Sequence, residues 1–131
     1  MNALIVYSRF NEDVTQALVK ECLRGFAEQN IEAKVLEVPG AVEIPLMIQN
    51  QLEKEAFDCV VALGCVIEGD TEHYEVVCQM CSQGIMEVML KTGVPIVFEV
   101  LMVDEKQKAL DRISKGYEAA FVATEMAQKM R

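Results

Sequence analysis

A chain of 131 residues fits one domain and can bury about two-thirds of its unfolded surface, so it needs neither a disulfide nor a metal to fold. A net charge of −9 with scattered basic residues excludes a phosphate-backbone footprint, and no apolar run approaches the roughly 20 residues of a bilayer span or follows a basic leader, so a cytoplasmic protein is expected. At 52% hydrophobic with eight methionines, it carries more apolar surface than one small core absorbs, which predicts subunit contacts.

Residues 3–7 are a strand-like run, Ala3-Leu4-Ile5-Val6-Tyr7. Asn11 can cap the helix that follows, whose first turn carries Glu12 and Asp13, as the helix dipole favours. On its face Val14, Leu18, Cys22 and Phe26 recur every four residues. A second strand fits Ala33 to Val38 and stops at Pro39-Gly40. A helix from about Glu43 to Glu55 follows, with Ile44, Ile48 and Leu52 on one side. The third strand, Cys59 to Ile67, is almost wholly apolar, as a strand covered on both faces should be. Gly69-Asp70-Thr71 breaks it and starts a long helix to about Thr92, ended by Gly93. Val94 to Val100 make a fourth strand, and Asp104 with Gln107 resembles a capping box. Leu110, Ile113, Tyr117, Ala120 and Thr124 then share one stripe of a last helix.

Strands alternating with helices imply right-handed crossovers. The expected fold is therefore one α/β domain over residues 1–131, in three layers, with a four-stranded parallel sheet and helices on both faces. Five cysteines lie inside these elements and read as small buried hydrophobes of a reducing cytosol. The Cys78/Cys81 C-x-x-C pair falls inside a helix, away from the N-terminus where a redox pair gains its thiolate, and no second ligand pair completes a zinc site.

Ligands of such sheets bind beyond the carboxyl ends of the strands. That selects Ser8 to Asn11, Val38 to Glu43, Ile67 to His73 and the region after Val100. His73, the only histidine, suits a reaction that both takes and gives protons, or is a solvated residue at a helix start. Asp70 and Thr71 can offer groups to an anion at that helix start, or Asp70 can be its cap. Arg112, one of four arginines, can clamp a phosphate or lie on the surface. Phe10 can stack on a flat heterocycle, whereas Phe98 reads by default as core. Glu43 is either a dipole-favoured acid or an acceptor for ligand hydroxyl groups. These patterns reach a parallel α/β domain with a small-molecule site and do not name a reaction.

Read together, the loops resemble the lumazine synthase family. The pieces are Arg9-Phe10-Asn11, the run from Val38 to Pro45, the run from Leu63 to His73, and Gly93-Val94-Pro95-Ile96-Val97-Phe98, all in the family's order and spacing. The resemblance implies a flavodoxin-like sheet and a transferase of riboflavin biosynthesis that needs no metal or organic cofactor. It implies a pyrimidine stacked on Phe10, a pocket lined by Ala41, Val42, Val66 and Ile67, and a ribityl chain on Glu43. It also implies His73 as the proton-transfer residue and Asp70 and Thr71 at the phosphate. A neighbouring subunit of a homo-oligomer, a pentamer in this family, would add Phe98 and Arg112, with Lys115 as the counterpart of a family lysine near the site. Departures are Glu68 where many members carry arginine, Asp70 where a small residue is common, and a short stretch between Arg112 and Tyr117. The N-terminal arm that many members lay on a neighbour also has no counterpart.

Two other readings fit parts of the pattern. An archaeal-type riboflavin synthase would dismutate the lumazine, but the Gly69-Asp70-Thr71-Glu72-His73 segment favours the synthase of the lumazine itself. A flavin-binding flavodoxin-like protein would want a Ser/Thr/Gly-rich phosphate loop after the first strand, where this chain has Ser8-Arg9-Phe10-Asn11-Glu12-Asp13.

Overall fold

The computed structural model describes residues 1–131. Its elements in chain order are β1 (Ala3–Ser8), α1 (Glu12–Ala27), β2 (Ala33–Val38), α2 (Ile44–Lys54), β3 (Cys59–Ile67), α3 (Tyr74–Thr92), β4 (Ile96–Val103), α4 (Lys106–Leu110) and α5 (Lys115–Lys129). Every pairing is parallel and the strands lie in the order β2-β1-β3-β4.

Side-chain alternation along the strands sorts the core into two layers. Ile5, Val61, Leu63 and Leu101 point to α1 and α5, where they meet Val14, Leu18, Phe26 and Ala120. Leu4, Val6, Val60, Ala62 and Val100 point to α2 and α3, where they meet Ile44, Ile48, Cys81 and Ile85. All nine residues of β3 are buried, which is why its sequence is a continuous apolar run. Burying each large aliphatic side chain contributes about 1.5–3 kcal/mol, so these layers dominate stability. The α1/α5 contact is close enough to require glycine. A Cβ on Gly116 would be driven into the backbone carbonyl of Leu18.

Local geometry corrects four details of the sequence reading. Asn11 adopts a left-handed conformation (φ 61°), and its side-chain amide does not cap α1. It donates instead to the Cys65 carbonyl at 3.0 Å. The turn Ala41–Glu43 is a short 3-10 segment, and α2 starts only at Ile44, with Pro45 in its first turn, where a missing N–H costs nothing. Likewise Glu68–Asp70 form a 3-10 turn, so α3 begins at Tyr74 after His73 in the left-handed region (φ 57°). Asp104 pairs with Lys108 at 2.8 Å and Gln107 donates to Asp111 at 2.8 Å, so no capping box forms.

The expected last helix is also two helices. Three-residue bonds from Lys115 N–H to the Arg112 carbonyl (2.9 Å) and from Gly116 N–H to the Ile113 carbonyl (3.1 Å) tighten the chain between them. That break lets Gly116 reach α1. Gly93 ends α3 in the left-handed conformation that glycine adopts without strain (φ 72°). No helix is long and apolar enough to cross a membrane.

Candidate functional site

A cavity of about 350 Å³ lies beyond the carboxyl ends of β1, β2 and β3. Phe10 and Asn11 reach it from the β1–α1 loop, and Gly40, Ala41, Val42 and Glu43 from the turn after β2. The end of β3 and its following turn contribute Cys65, Val66, Asp70, Thr71 and Glu72, and Val77 closes the α3 side.

Phe10 is 68% exposed, so its ring is offered to the cavity and solvent and not used in the core. The wall opposite is held by Glu43, whose Oε1 accepts the Gly40 N–H at 2.9 Å and closes the 3-10 turn. Asn11 fixes the base of the Phe10 loop. The β1–β3 ladder ends at Tyr7 and Leu63, and the Asn11 amide reaches the next outward carbonyl of β3, that of Cys65. Burial pushes the Cys65 thiol up to about 11, and the Asp13 carboxylate adds to this while Lys106 opposes it. The thiol is therefore protonated at neutral pH and packs as a small hydrophobe.

Thr71 borders both the cavity and a shallower depression that also holds Glu68, His73, Tyr74, Glu75 and Val76. His73 is exposed there and does not line the cavity that holds Phe10. Phe98, Arg112 and Lys115 do not line this cavity. Phe98 sits at the middle of edge strand β4, opposite Ala62, and is about a third exposed. Arg112 follows α4, is exposed and makes no ion pair within its chain, while Lys115 lies 3.5 Å from Glu118. Ile67 is placed by strand alternation in the α1/α5 core layer, whereas its neighbour Val66 faces the cavity.

The 6,7-dimethyl-8-ribityllumazine synthase family model matches residues 1–131. The chain belongs to that family. A 6,7-dimethyl-8-ribityllumazine synthase of Nitrosospira multiformis is 41% identical over 131 residues, 97% of this chain and 82% of that protein. One of Thermococcus gammatolerans is 38% identical over 132 residues, 97% of this chain and 86% of that protein. Among solved structures, a short-chain flavodoxin associated with a non-canonical PDU bacterial microcompartment superposes with a TM-score of 0.50 at 10% identity. It covers 94% of this chain and 99% of its own, a likeness of fold alone.

Of the twelve residues that line the cavity, Glu43, Asp70 and Glu72 are acidic and none is basic. The cavity therefore presents an exposed aromatic ring and carboxylate acceptors but no cation of its own, so an anion held there would need cations from elsewhere. The loops selected from the sequence contain Asn11, Gly40 and Glu72 without giving them a role in the cavity, while Cys65 and Val77 lie outside those loops. Asn11 carried a usable signal, because it directly follows the aromatic residue at the carboxyl end of a strand.

The C-x-x-C pair is explained by packing. Cys81 is fully buried with its thiol pushed up to about 12 by burial, and burial also raises Cys78. Neither thiol is tuned toward the thiolate.

Proposed function

We propose that this chain condenses 5-amino-6-(D-ribitylamino)uracil with 3,4-dihydroxy-2-butanone 4-phosphate to give 6,7-dimethyl-8-ribityllumazine, phosphate and water, as a transferase of riboflavin biosynthesis. The observation that carries the reading is one cavity lined together by the exposed Phe10, Val66 and the Ala41-Val42-Glu43 turn, in a chain of this family. In this reading the pyrimidine stacks on Phe10 between Ala41, Val42 and Val66, and the free oxygen of Glu43 accepts from the ribityl chain. The backbone at Ile67 adjoins the ring, since its side chain belongs to the core.

The amine of the pyrimidine attacks the ketone, and loss of water gives an imine. Phosphate then leaves, and the ribityl-bearing nitrogen closes the second ring with loss of a further water. Holding both substrates in one geometry can supply about 7–11 kcal/mol of the barrier. His73, two residues after Thr71 in the chain, passes protons in these steps and adds roughly 10²–10⁴-fold. Asp70 and Thr71 contribute their backbone N–H groups to the phosphate, and Thr71 its hydroxyl.

Phe98, Arg112 and Lys115 act on the cavity of a neighbouring subunit, Phe98 closing it and Arg112 clamping the phosphate. Homo-oligomerisation is supported by Leu46 (73% exposed), Leu90 (74%), Val76, Met80 and Met86, apolar side chains that α2 and α3 leave uncovered. The proposed assembly is the pentamer, working in the cytoplasm on small molecules, without nucleic acid or membrane.

The deciding experiment mixes purified protein with both precursors and follows lumazine fluorescence and released phosphate against the uncatalysed background. Enzyme-dependent growth of both signals is the expected result. A folded oligomer that gives neither signal, yet converts the lumazine to riboflavin, would replace this reading with the riboflavin synthase one.

A further inference from the structure

Ser8, the last residue of β1, carries the one buried side-chain oxygen or nitrogen of the chain that has no hydrogen-bond partner. Burying a hydroxyl without a partner is unfavourable, so its place in the fold calls for a reason. Alternation along β1 puts Ser8 on the α2/α3 face of the sheet, after Leu4 and Val6. Its Oγ lies over Gly64 of β3, where a Cβ would come within 2.6 Å of it and within 3.2 Å of Val100 Cγ1. Across β2 its register partner is Val38, which is buried in the same layer.

Each of these strand positions leads directly into the cavity wall. Phe10 follows Ser8 by two residues, Val66 follows Gly64 by two, and Ala41 follows Val38 by three. The hydroxyl therefore sits one step below Val66 on the same face, a rise of about 6.6 Å for two residues. Two hydrogen bonds of about 2.8 Å through a single water span most of that rise.

What such a hydroxyl can recognise follows from the groups that line the cavity. As carboxylates, Glu43, Asp70 and Glu72 only accept hydrogen bonds, and the Asn11 amide is tied to the Cys65 carbonyl. Thr71 carries the one hydroxyl of the wall, and the proposed reading gives it to the phosphate. A uracil ring brings two carbonyl oxygens, which need donors.

We infer that Ser8 is a positioning residue of this cavity, whose hydroxyl holds one ring carbonyl of the pyrimidine through an ordered water. The inference rests on the condensation reading, since it needs a uracil stacked on Phe10. A purely structural Ser8 would be the small side chain that clears Gly64, and its hydroxyl would be dispensable. Only the positioning role makes the Ser8 oxygen and the ring oxygen depend on each other.

The test uses the wild-type oligomer and Ser8→Ala, which fits the same space without the hydroxyl. Calorimetric titration, with the second substrate left out, measures the affinity for 5-amino-6-(D-ribitylamino)uracil and for its two analogues in which one ring carbonyl oxygen is replaced by sulfur, a weaker acceptor. KM is measured for both substrates alongside. Ser8→Ala should weaken the pyrimidine and raise its KM by about tenfold, the loss of one hydrogen bond, and leave the KM of the phosphate-bearing substrate unchanged. One sulfur analogue should bind the wild type more weakly than the pyrimidine does, and that difference should vanish in Ser8→Ala. Pyrimidine affinity in Ser8→Ala equal to wild type overturns the inference, and so does a loss on sulfur replacement that is the same in both proteins. A wild type that binds the pyrimidine yet makes no lumazine removes the condensation reading alone, and the titrations still decide Ser8. A wild type that binds no pyrimidine removes both.

Discussion

Asn11 carries two structural burdens that substitution can separate. Its side-chain amide donates to the Cys65 carbonyl at 3.0 Å, and its backbone is left-handed at φ 61°. Leaving that carbonyl without its donor costs about 1–3 kcal/mol. Placing alanine in the left-handed region adds about 1–2 kcal/mol, which glycine does not incur. Asn11→Ala should thus lose about 2–5 kcal/mol and Asn11→Gly about 1–3 kcal/mol. At about 2 cal/mol/K of unfolding entropy per residue, a chain of 131 residues shifts Tm by about 4 °C per kcal/mol. The expected drops are about 8–20 °C for alanine and about 4–12 °C for glycine, with a gap of about 4–8 °C between them. Circular dichroism melts at one fixed protein concentration read this directly, because assembly couples to stability. Both variants should also raise the KM for the pyrimidine, since the Phe10 loop loses its anchor. Equal Tm values for the two variants, within about 2 °C of wild type, would refute both the bond and the backbone argument.

Other residues separate structure from chemistry in the same way. Glu43→Gln keeps an oxygen that can accept the Gly40 N–H. Its Tm should match wild type while Glu43→Ala loses about 1 kcal/mol, and a raised pyrimidine KM in both variants would place the carboxylate on the substrate. For His73, asparagine is the better probe because it tolerates the left-handed backbone. His73→Asn should fold as wild type and slow single-turnover lumazine formation by roughly 10²–10⁴-fold, still above the uncatalysed rate. Complete inactivity of the folded variant would contradict catalysis dominated by proximity. Burial raises the Glu99 carboxyl from its ordinary 4.5, Glu118 adds to this, and Lys115 and Arg112 oppose it. The folded chain therefore holds this proton more tightly than the unfolded one, and Glu99 subtracts stability as pH rises from about 4.5 upward. Glu99→Gln should gain Tm relative to wild type across that window and then run parallel to it. Parallel melting profiles throughout would show that Glu99 is not desolvated.

How far the sequence spoke depended on whether a feature was periodic or tertiary. The buried run of β3 and the four-residue spacing of Val14, Leu18, Cys22 and Phe26 report directly on which faces are covered, so the layers and the parallel sheet were legible. The loops at the strand ends followed from topology, and with them Phe10, Glu43 and Asp70. Strand alternation was equally available for Val66 and Ile67, and it forbids both side chains from facing one cavity. The family resemblance overrode that simple check. Asn11 and His73 were read as helix-start residues because nothing local announces a left-handed backbone. Asn11 is positioned by a carbonyl 54 residues away.

The charge layout also explains why the proposed chemistry belongs to the assembly and not to one subunit. A protomer's own cavity offers an exposed aromatic face, a turn closed by Glu43, and three carboxylates without a basic residue. That set favours a neutral heterocycle with a polyhydroxyl chain and repels an isolated phosphate. Phe98 and Arg112 do not line that cavity, and the Arg112 charge acts within its own chain on the Glu99 carboxyl without forming an ion pair. Placed against a neighbour's Asp70 and Thr71, it meets an anionic ligand and acidic rim that lack a cation. The apolar faces left uncovered by α2 and α3 supply the driving force for such docking, because removing apolar area from water contributes roughly 25 cal/mol per Å². In the proposed assembly, docking completes a phosphate site that each chain leaves unfinished. On the proposed reading, the phosphate-bearing substrate, far more than the pyrimidine, is the ligand whose binding depends on a second subunit.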